Sequence, residues 1–242
     1  NPPSFMYLAS TVALVMEIGA GIDDANSAGW TPLTSAAKHG HCIIITTLVE
    51  QGAAIEHRNI HGAGPLVVAV REGHIPAARL LLRLGADIEG SAMRGRDFPL
   101  AAACRGGDLA MVRALMGHDG GVVDIDRPTA GAGTTPLLIA MQHGHNSVAS
   151  VLLAQGADPN TATGVGSITP LHVAARLGNA TLVTLLLQHR AWADACTDYG
   201  WYPLHYAAAG GNDNLVNAML THMESPASSS SSAHFTLPPG SP

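Results

Sequence analysis

The sequence predicts an all-helical fold, a solenoid of stacked helix-turn-helix repeats, and three observations carry that prediction. A Pro-Leu pair recurs at Pro32, Pro65, Pro99, Pro136, Pro170 and Pro203, at intervals of 33, 34, 37, 34 and 33 residues. A glycine stands eight residues after each of these prolines, at Gly40, Gly73, Gly107, Gly144, Gly178 and Gly211. The composition is 47% hydrophobic but only 4% aromatic, so the core is built from Ala, Leu, Val and Ile, which suits close helix–helix packing. A fixed period of this length is the signature of a repeat architecture.

Each feature of the repeat has a mechanical reason. Proline fits the first turn of a helix, where its missing N–H has no partner to lose. Glycine ends a helix because it enters the left-handed conformation without a steric penalty. Residues 170–177 therefore read as a short helix stopped by Gly178, and residues 180–189 as a second helix carrying Leu182, Val183, Leu185, Leu186 and Leu187. A further glycine follows twenty residues after three of the prolines, at Gly52, Gly85 and Gly156. Neither helix is long enough to persist alone in water. Only stacking on neighbouring repeats buries the Ala and Leu faces.

These residues carry a family resemblance. Thr31-Pro32-Leu33 with Ala36-Ala37, Gly40-His41 and Gly52-Ala53 resembles the ankyrin repeat, as does Thr169-Pro170-Leu171-His172 with Ala174-Ala175. Gly156-Ala157-Asp158-Pro159-Asn160 and Gly85-Ala86-Asp87 resemble that family's loop after the second helix. The likeness covers roughly residues 8–223. It implies an ankyrin-type α-solenoid with hairpin-like loops, and a module that binds another protein.

Taken in order, residues 1–28 read as a truncated first repeat whose second helix falls at 6–18, ahead of Gly19. Its first helix would fall on Asn1-Pro2-Pro3, which cannot form one. The chain opens on Asn, so the expectation is a processed or cut fragment. Full repeats follow at 29–61, 62–94, 95–132, 133–166 and 167–199, then a C-terminal repeat at 200–223. The Ser/Pro-rich residues 224–242 read as a disordered tail. Gly64 and Phe98 replace the usual threonine, and Asp119 and Arg190 replace the second glycine. A side chain forced into the left-handed region costs about 1 kcal/mol or more. The 37-residue interval places an insertion, and a longer bulged loop, around residues 120–132.

Composition excludes several classes of function. Eighteen acidic residues against 12 basic ones give a net charge of -6, without the basic excess of a nucleic-acid binder. No apolar run reaches the ~18–20 residues of a membrane span, and residues 6–18 lack the flanks of a signal peptide. Cys42, Cys104 and Cys196 are too far apart for a zinc knuckle or a disulfide framework, which points to a reducing intracellular setting, cytoplasmic or nuclear. The Asn179-Ala180-Thr181 sequon reads as chance.

No motif of nucleophilic, metal-dependent or phosphate-loop catalysis is found, so the chain reads as a non-enzyme without cofactors or metal. The Gly-Ala-Gly segments at Gly62 and Gly131 are turn chemistry. Cys104 sits at the second Ala position of its repeat and reads as packed and inert, whereas Cys42 starts a second helix in a more exposed place. The thirteen histidines invite a metal site. Yet His41, His74 and His145 occupy the position nine residues after the proline, where the resemblance itself places histidine. His172 and His205 match its Thr-Pro-Leu-His position, with backbone hydrogen bonds between repeats implied.

Two surfaces stand out as binding candidates. Six residues after each proline come Lys38, Arg71, Arg105, Gln142, Arg176 and Ala209, four of them basic on an acidic chain. The resemblance places this row on the concave groove, suited to an acidic segment of a partner; solvation of Ala-rich helices explains it equally. The second surface is the row of loop tips, Trp30, His61, Arg94, Arg96, Tyr199 and Trp201, with both Trp two residues before a repeat proline. Exposed aromatics are enriched in binding hot spots; packing of each loop against its neighbour explains the row equally. A monomeric protein-binding module is therefore expected, with no nucleic-acid or membrane partner. The alternative is a regulatory or targeting domain of a larger enzyme or receptor.

Overall fold

A computed structural model describes residues 21–90, 98–118, 122–130 and 133–223. Twelve helices and no strands occur among them. They run in pairs: α1 (Pro32–Lys38) and α2 (Cys42–Glu50), α3 (Pro65–Arg71) and α4 (Ile75–Arg83), α5 (Pro99–Gly106) and α6 (Leu109–Met116). Then come α7 (Pro136–Gln142) and α8 (Asn146–Ala154), α9 (Pro170–Arg176) and α10 (Ala180–Gln188), and α11 (Pro203–Ala209) and α12 (Asp213–Met223). Every first helix begins at its repeat proline, as the spacing requires. No helix among the described residues is long and apolar enough to cross a membrane. The expected helix at 6–18 and the tail at 224–242 lie outside the described residues.

The chain divides into two compact units between Val148 and Ala149, inside α8. In unit 1 the first helices pack in series, α1 on α3, α3 on α5 and α5 on α7, while the second helices pack α2 on α4 and α4 on α6. In unit 2, α9 packs on α11 and α10 on α12. Leu33, Ile45, Leu81, Leu100, Met111, Leu137 and Met141 are fully buried in unit 1, and Leu152, Leu171 and Leu182 in unit 2. The residue four after each proline is a buried alanine in all six repeats: Ala36, Ala69, Ala103, Ala140, Ala174 and Ala207. An alanine there presents only a methyl group, which suits close packing of neighbouring first helices.

The helix ends follow from local backbone chemistry. Thr31 Oγ1 accepts the Thr34 N–H at 3.2 Å, and Thr135 Oγ1 accepts that of Leu138 at 3.4 Å. Gly64 and Phe98, two of the departures from threonine, provide no side-chain cap. The glycine eight residues after each proline has φ between 63° and 78° in every repeat. Both helices of the fifth full repeat end one residue earlier than the sequence suggests. α9 stops at Arg176 with Leu177 as its cap, rather than running to residue 177, and α10 stops at Gln188. Arg190 takes φ 65°, so a residue with a Cβ does occupy the left-handed position that glycine holds elsewhere.

Hairpin-like loops join the pairs. Among the described residues they close on backbone bonds such as Asn26 N–H to Trp30 O, Asn59 N–H to Ala63 O, or Thr197 N–H to Trp201 O. Side chains tie successive loops together: Asp23 accepts the Ala54 N–H, Glu56 that of Asp87 and Glu89 that of Asp124 in unit 1. In unit 2, Asn160 accepts the Trp192 N–H. In the longer loop, Arg127 forms an ion pair with Glu89 at 2.9 Å and lies 5.0 Å from the centre of the Phe98 ring.

Candidate protein-binding surface

The six residues that follow each proline by six positions all stand at or next to the last residue of a seven- or eight-residue first helix. Lys38, Arg71, Arg105 and Gln142 in unit 1, and Arg176 and Ala209 in unit 2, are all exposed. Most other positions of these helices are buried, because each first helix has helices on several sides. The helix C-terminus carries partial negative charge, so a cation there is favourable by about 0.3–1 kcal/mol. That local effect gives Lys38, Arg71, Arg105 and Arg176 a structural reason to be basic in addition to solvation.

The two candidate surfaces meet in the first repeat. The Lys38 ammonium lies 5.2 Å from the centre of the Trp30 ring, a cation–π contact. Trp30 is half-buried in that position rather than a free loop tip. His61 is exposed, held on a turn in which Asn59 Oδ1 accepts both the His61 and Ala63 N–H groups. In unit 2, Tyr199 is 79% exposed and Trp201 is 43% exposed, with the indole packed 5.2 Å from Tyr206 and 5.7 Å from His205. Arg94 and Arg96 lie outside the described residues.

Sequence reasoning missed two loop-tip residues. Ile60 and Val165 are 68% and 71% exposed, beside His61 and near Tyr199 respectively. The Tyr199 loop docks on the Val165 loop through the Asp198 N–H to Gly166 O bond and the Ser167 hydroxyl on the Asp198 carboxylate. An aliphatic residue within the polar turn Asn59-Ile60-His61-Gly62 was the available signal.

Three histidines are committed to bonds between repeats. His74 Nε2 donates to Lys38 O at 2.9 Å, and His145 Nε2 to Arg105 O at 3.0 Å. Each ring thus clasps the repeat before it, at the carbonyl of the exposed basic residue. His172 is fully buried; its Nδ1 receives the Thr169 N–H at 3.2 Å, which leaves Nε2 to donate to Trp201 O at 3.0 Å. Burial lowers the His172 pKa below its ordinary value of 6.5, against the opposing pull of the carbonyl it serves. His205 corrects the expectation made for it: it is exposed and its Nδ1 receives the Tyr202 N–H of its own repeat. In the His-Gly-His triplets the rings stack, at 5.8 Å for His39 and His41 and 6.2 Å for His143 and His145. Among the described residues no group of three or more His, Cys, Asp or Glu gathers to hold a metal. Cys104 is buried and its thiol is pushed up to about 12 by desolvation, so it is unreactive. Cys42 is half-buried at the start of α2, and Cys196 is exposed.

Comparison with known proteins gives a consistent picture. The family model for ankyrin repeats matches in three copies, over residues 7–92, 89–163 and 162–229. Ankyrin repeat and SOCS box protein 11 of Danio rerio is 38% identical over 93 residues, which are 38% of this chain and 30% of that protein. The chain thus spans less than a third of that relative's length. Cyclin-dependent kinase 4 inhibitor B of Rattus norvegicus is 35% identical over 111 residues, 45% of this chain and 80% of that protein. Among solved structures, the ankyrin repeat domain of human ASB11 superposes with a TM-score of 0.71 at 24% identity, covering 93% of this chain and all of that one. The ankyrin repeat domain of Bcl-3, a member of the IkappaB family, gives a TM-score of 0.73 at 26% identity, covering 81% and 87%. The repeat spacing, the helix pairs and the near-complete family match agree: this chain belongs to the ankyrin repeat family.

Proposed function

We propose that the chain is a monomeric, non-catalytic binding module that holds an acidic segment of a partner protein on its first-helix surface. In unit 1 that surface consists of Lys38, Arg71, Arg105 and Gln142, with Trp30 and His61 on the adjoining loops. Unit 2 offers Arg176, Tyr199 and Trp201 at the corresponding positions. The observation that carries the reading is the Lys38–Trp30 contact, which brings one cation of the basic row against one loop-tip aromatic in the first repeat. Cations spaced about 10 Å apart, the distance between packed helices, suit successive carboxylates of an extended segment. Ankyrin repeats are a family of protein-binding modules, which supports the class of partner.

The test is association kinetics with a partner recovered by affinity pull-down. The double variant Arg71→Glu/Arg105→Glu slows association and flattens its salt dependence, because exposed charges act through encounter. Both side chains are exposed at helix C-termini, so the charge reversal costs about 0.5–2 kcal/mol per site through the helix dipole and leaves the buried core untouched. Trp201→Ala speeds dissociation instead, as loss of an aromatic anchor does. An unchanged on-rate with unchanged salt slope in the double variant sinks the role of the basic row.

A further inference from the structure

The second helices of unit 1 carry a feature that the first-helix surface does not explain. An open cleft of about 700 Å³ runs over α2, α4 and α6. Its floor is apolar, with Ile43 and Leu80, and Ile43 is 50% exposed. Arg79 and Arg83 line it, both exposed, and no carboxylate does. Among the described residues neither guanidinium is in an ion pair. The helix dipole accounts for a cation at Arg83, in the last turn of α4, but not for Arg79 in its middle. On a chain with a net charge of -6, an apolar floor bordered by two uncompensated arginines is electrostatically complementary to an acidic peptide.

The dimensions fit an extended segment. Three packed helices at about 10 Å spacing present a span of about 20 Å, which roughly six residues cross at about 3.3 Å each. Arg79 and Arg83 are one helical turn apart, about 5–6 Å between Cβ atoms, so a carboxylate laid across α4 sits between two guanidinium forks. Arginine is suited to that role because its planar fork binds carboxylates bidentately.

We propose that this cleft is a second protein-binding site, separate from the first-helix surface. It takes an extended acidic segment whose carboxylates are held by Arg79 and Arg83 and whose apolar side chains lie on Ile43 and Leu80. The site stands independently of the proposed function: either surface can fail alone.

The three cysteines provide the assay. Cys42 lines the cleft and is half-buried, Cys196 is exposed in unit 2, and Cys104 is buried. The full chain is treated with iodoacetamide, a neutral reagent, and alkylation is followed site by site by mass spectrometry. The probes are the synthetic peptide Ac-Leu-Glu-Glu-Leu-Glu-Glu-Leu-amide and its counterpart with Gln in place of every Glu. The acidic peptide at saturation slows Cys42 alkylation several-fold and leaves Cys196 unchanged; the Gln peptide slows neither. Arg79→Gln/Arg83→Gln abolishes the protection, and Arg71→Gln/Arg105→Gln retains it. Cys104 stays unlabelled in every variant, which establishes that each is folded. Protection that persists in the Arg79/Arg83 variant, equal protection by both peptides, or none at Cys42 overturns the proposal. Protection lost only in the Arg71/Arg105 variant assigns the acidic segment to the first-helix surface instead.

Discussion

Units 1 and 2 are built from the same repeat but clasp their repeats with different chemistry. In unit 1 the clasp is a half-buried imidazole, His74 on Lys38 O or His145 on Arg105 O, nine residues after the repeat proline. In unit 2 that position is Asn212, which donates to Gly178 O at 3.2 Å, and a buried His172 adds a second bond, to Trp201 O. A donor suffices in unit 1, where the clasp uses Nε2 alone. His172 must accept through Nδ1 and donate through Nε2 at once, which only the neutral ring does. The comparison teaches that His and Asn both serve as the clasp at this position because the clasp needs only a donor, whereas Asp108, which has none, instead accepts the Met111 N–H as the cap of α6. A buried histidine with both nitrogens engaged makes its unit sensitive to acid.

The largest expected effect breaks the clasp of unit 1. A Cβ on Gly107 would meet the His145 ring at 2.4 Å, and the residue has φ 70°. Gly107→Ala therefore adds left-handed strain of about 1–2 kcal/mol and displaces the imidazole, losing a hydrogen bond of about 1 kcal/mol. The sum is a loss of about 2–3 kcal/mol in urea unfolding. Gly144→Ala is the control, with φ 78° but nothing within 4 Å of the new Cβ, and it shows the strain alone. A loss no greater at Gly107 than at Gly144 removes the clasp from the account.

The second prediction separates the units by pH. The unfolded chain takes up a proton on His172 near 6.5, and the folded chain only at lower pH. Between those values the unfolded state binds more protons, so stability falls as pH falls. The stabilisation is fully present above 6.5 and is lost as pH drops through the lowered folded value. His172→Gln costs about 1–2 kcal/mol at neutral pH, for the cap and the inter-repeat bond, and flattens the acid limb of the urea midpoint. His145→Gln leaves that limb in place. An unchanged acid limb in His172→Gln refutes the assignment.

Much of this was legible because proline at a helix start and glycine at φ near 70° are local rules, repeated six times. Exposure of Lys38, Arg71, Arg105, Gln142 and Arg176 followed from the same spacing. What was not legible depends on contacts between repeats. The Lys38–Trp30 contact joins a helix end to a loop, and the Glu56–Asp87 bond spans 31 residues. Glu56, Glu89 and Asn160 each stand four residues after a second glycine, a spacing that could have flagged the loop ties. The second-helix cleft was hidden for another reason: its lining comes from three helices whose residues are unremarkable singly. His205 misled because its position matches His172 while no repeat beyond α12 is described to receive its bond.

The smallest effect concerns the one described residue with a side chain at the second-glycine position. Gly52, Gly85 and Gly156 have φ of 90°, 96° and 96°, and Arg190 in unit 2 has φ 65°. Arg190→Gly removes left-handed strain of about 1–2 kcal/mol but admits unfolded-state freedom of about 0.4–1 kcal/mol. The net is a gain of about 0.5–1 kcal/mol, read as a higher urea midpoint. The guanidinium is exposed, and the bond from Asn160 Nδ2 goes to the Arg190 carbonyl at 3.2 Å, so it survives the substitution. Arg190→Asn gives a smaller gain, since Asn enters the left-handed region more easily than Arg but still carries a Cβ. Gains ordered Gly, then Asn, identify backbone strain as the cause. A loss in both variants shows instead that the Arg190 side chain holds the turn, and that the missing glycine marks a contact rather than a defect.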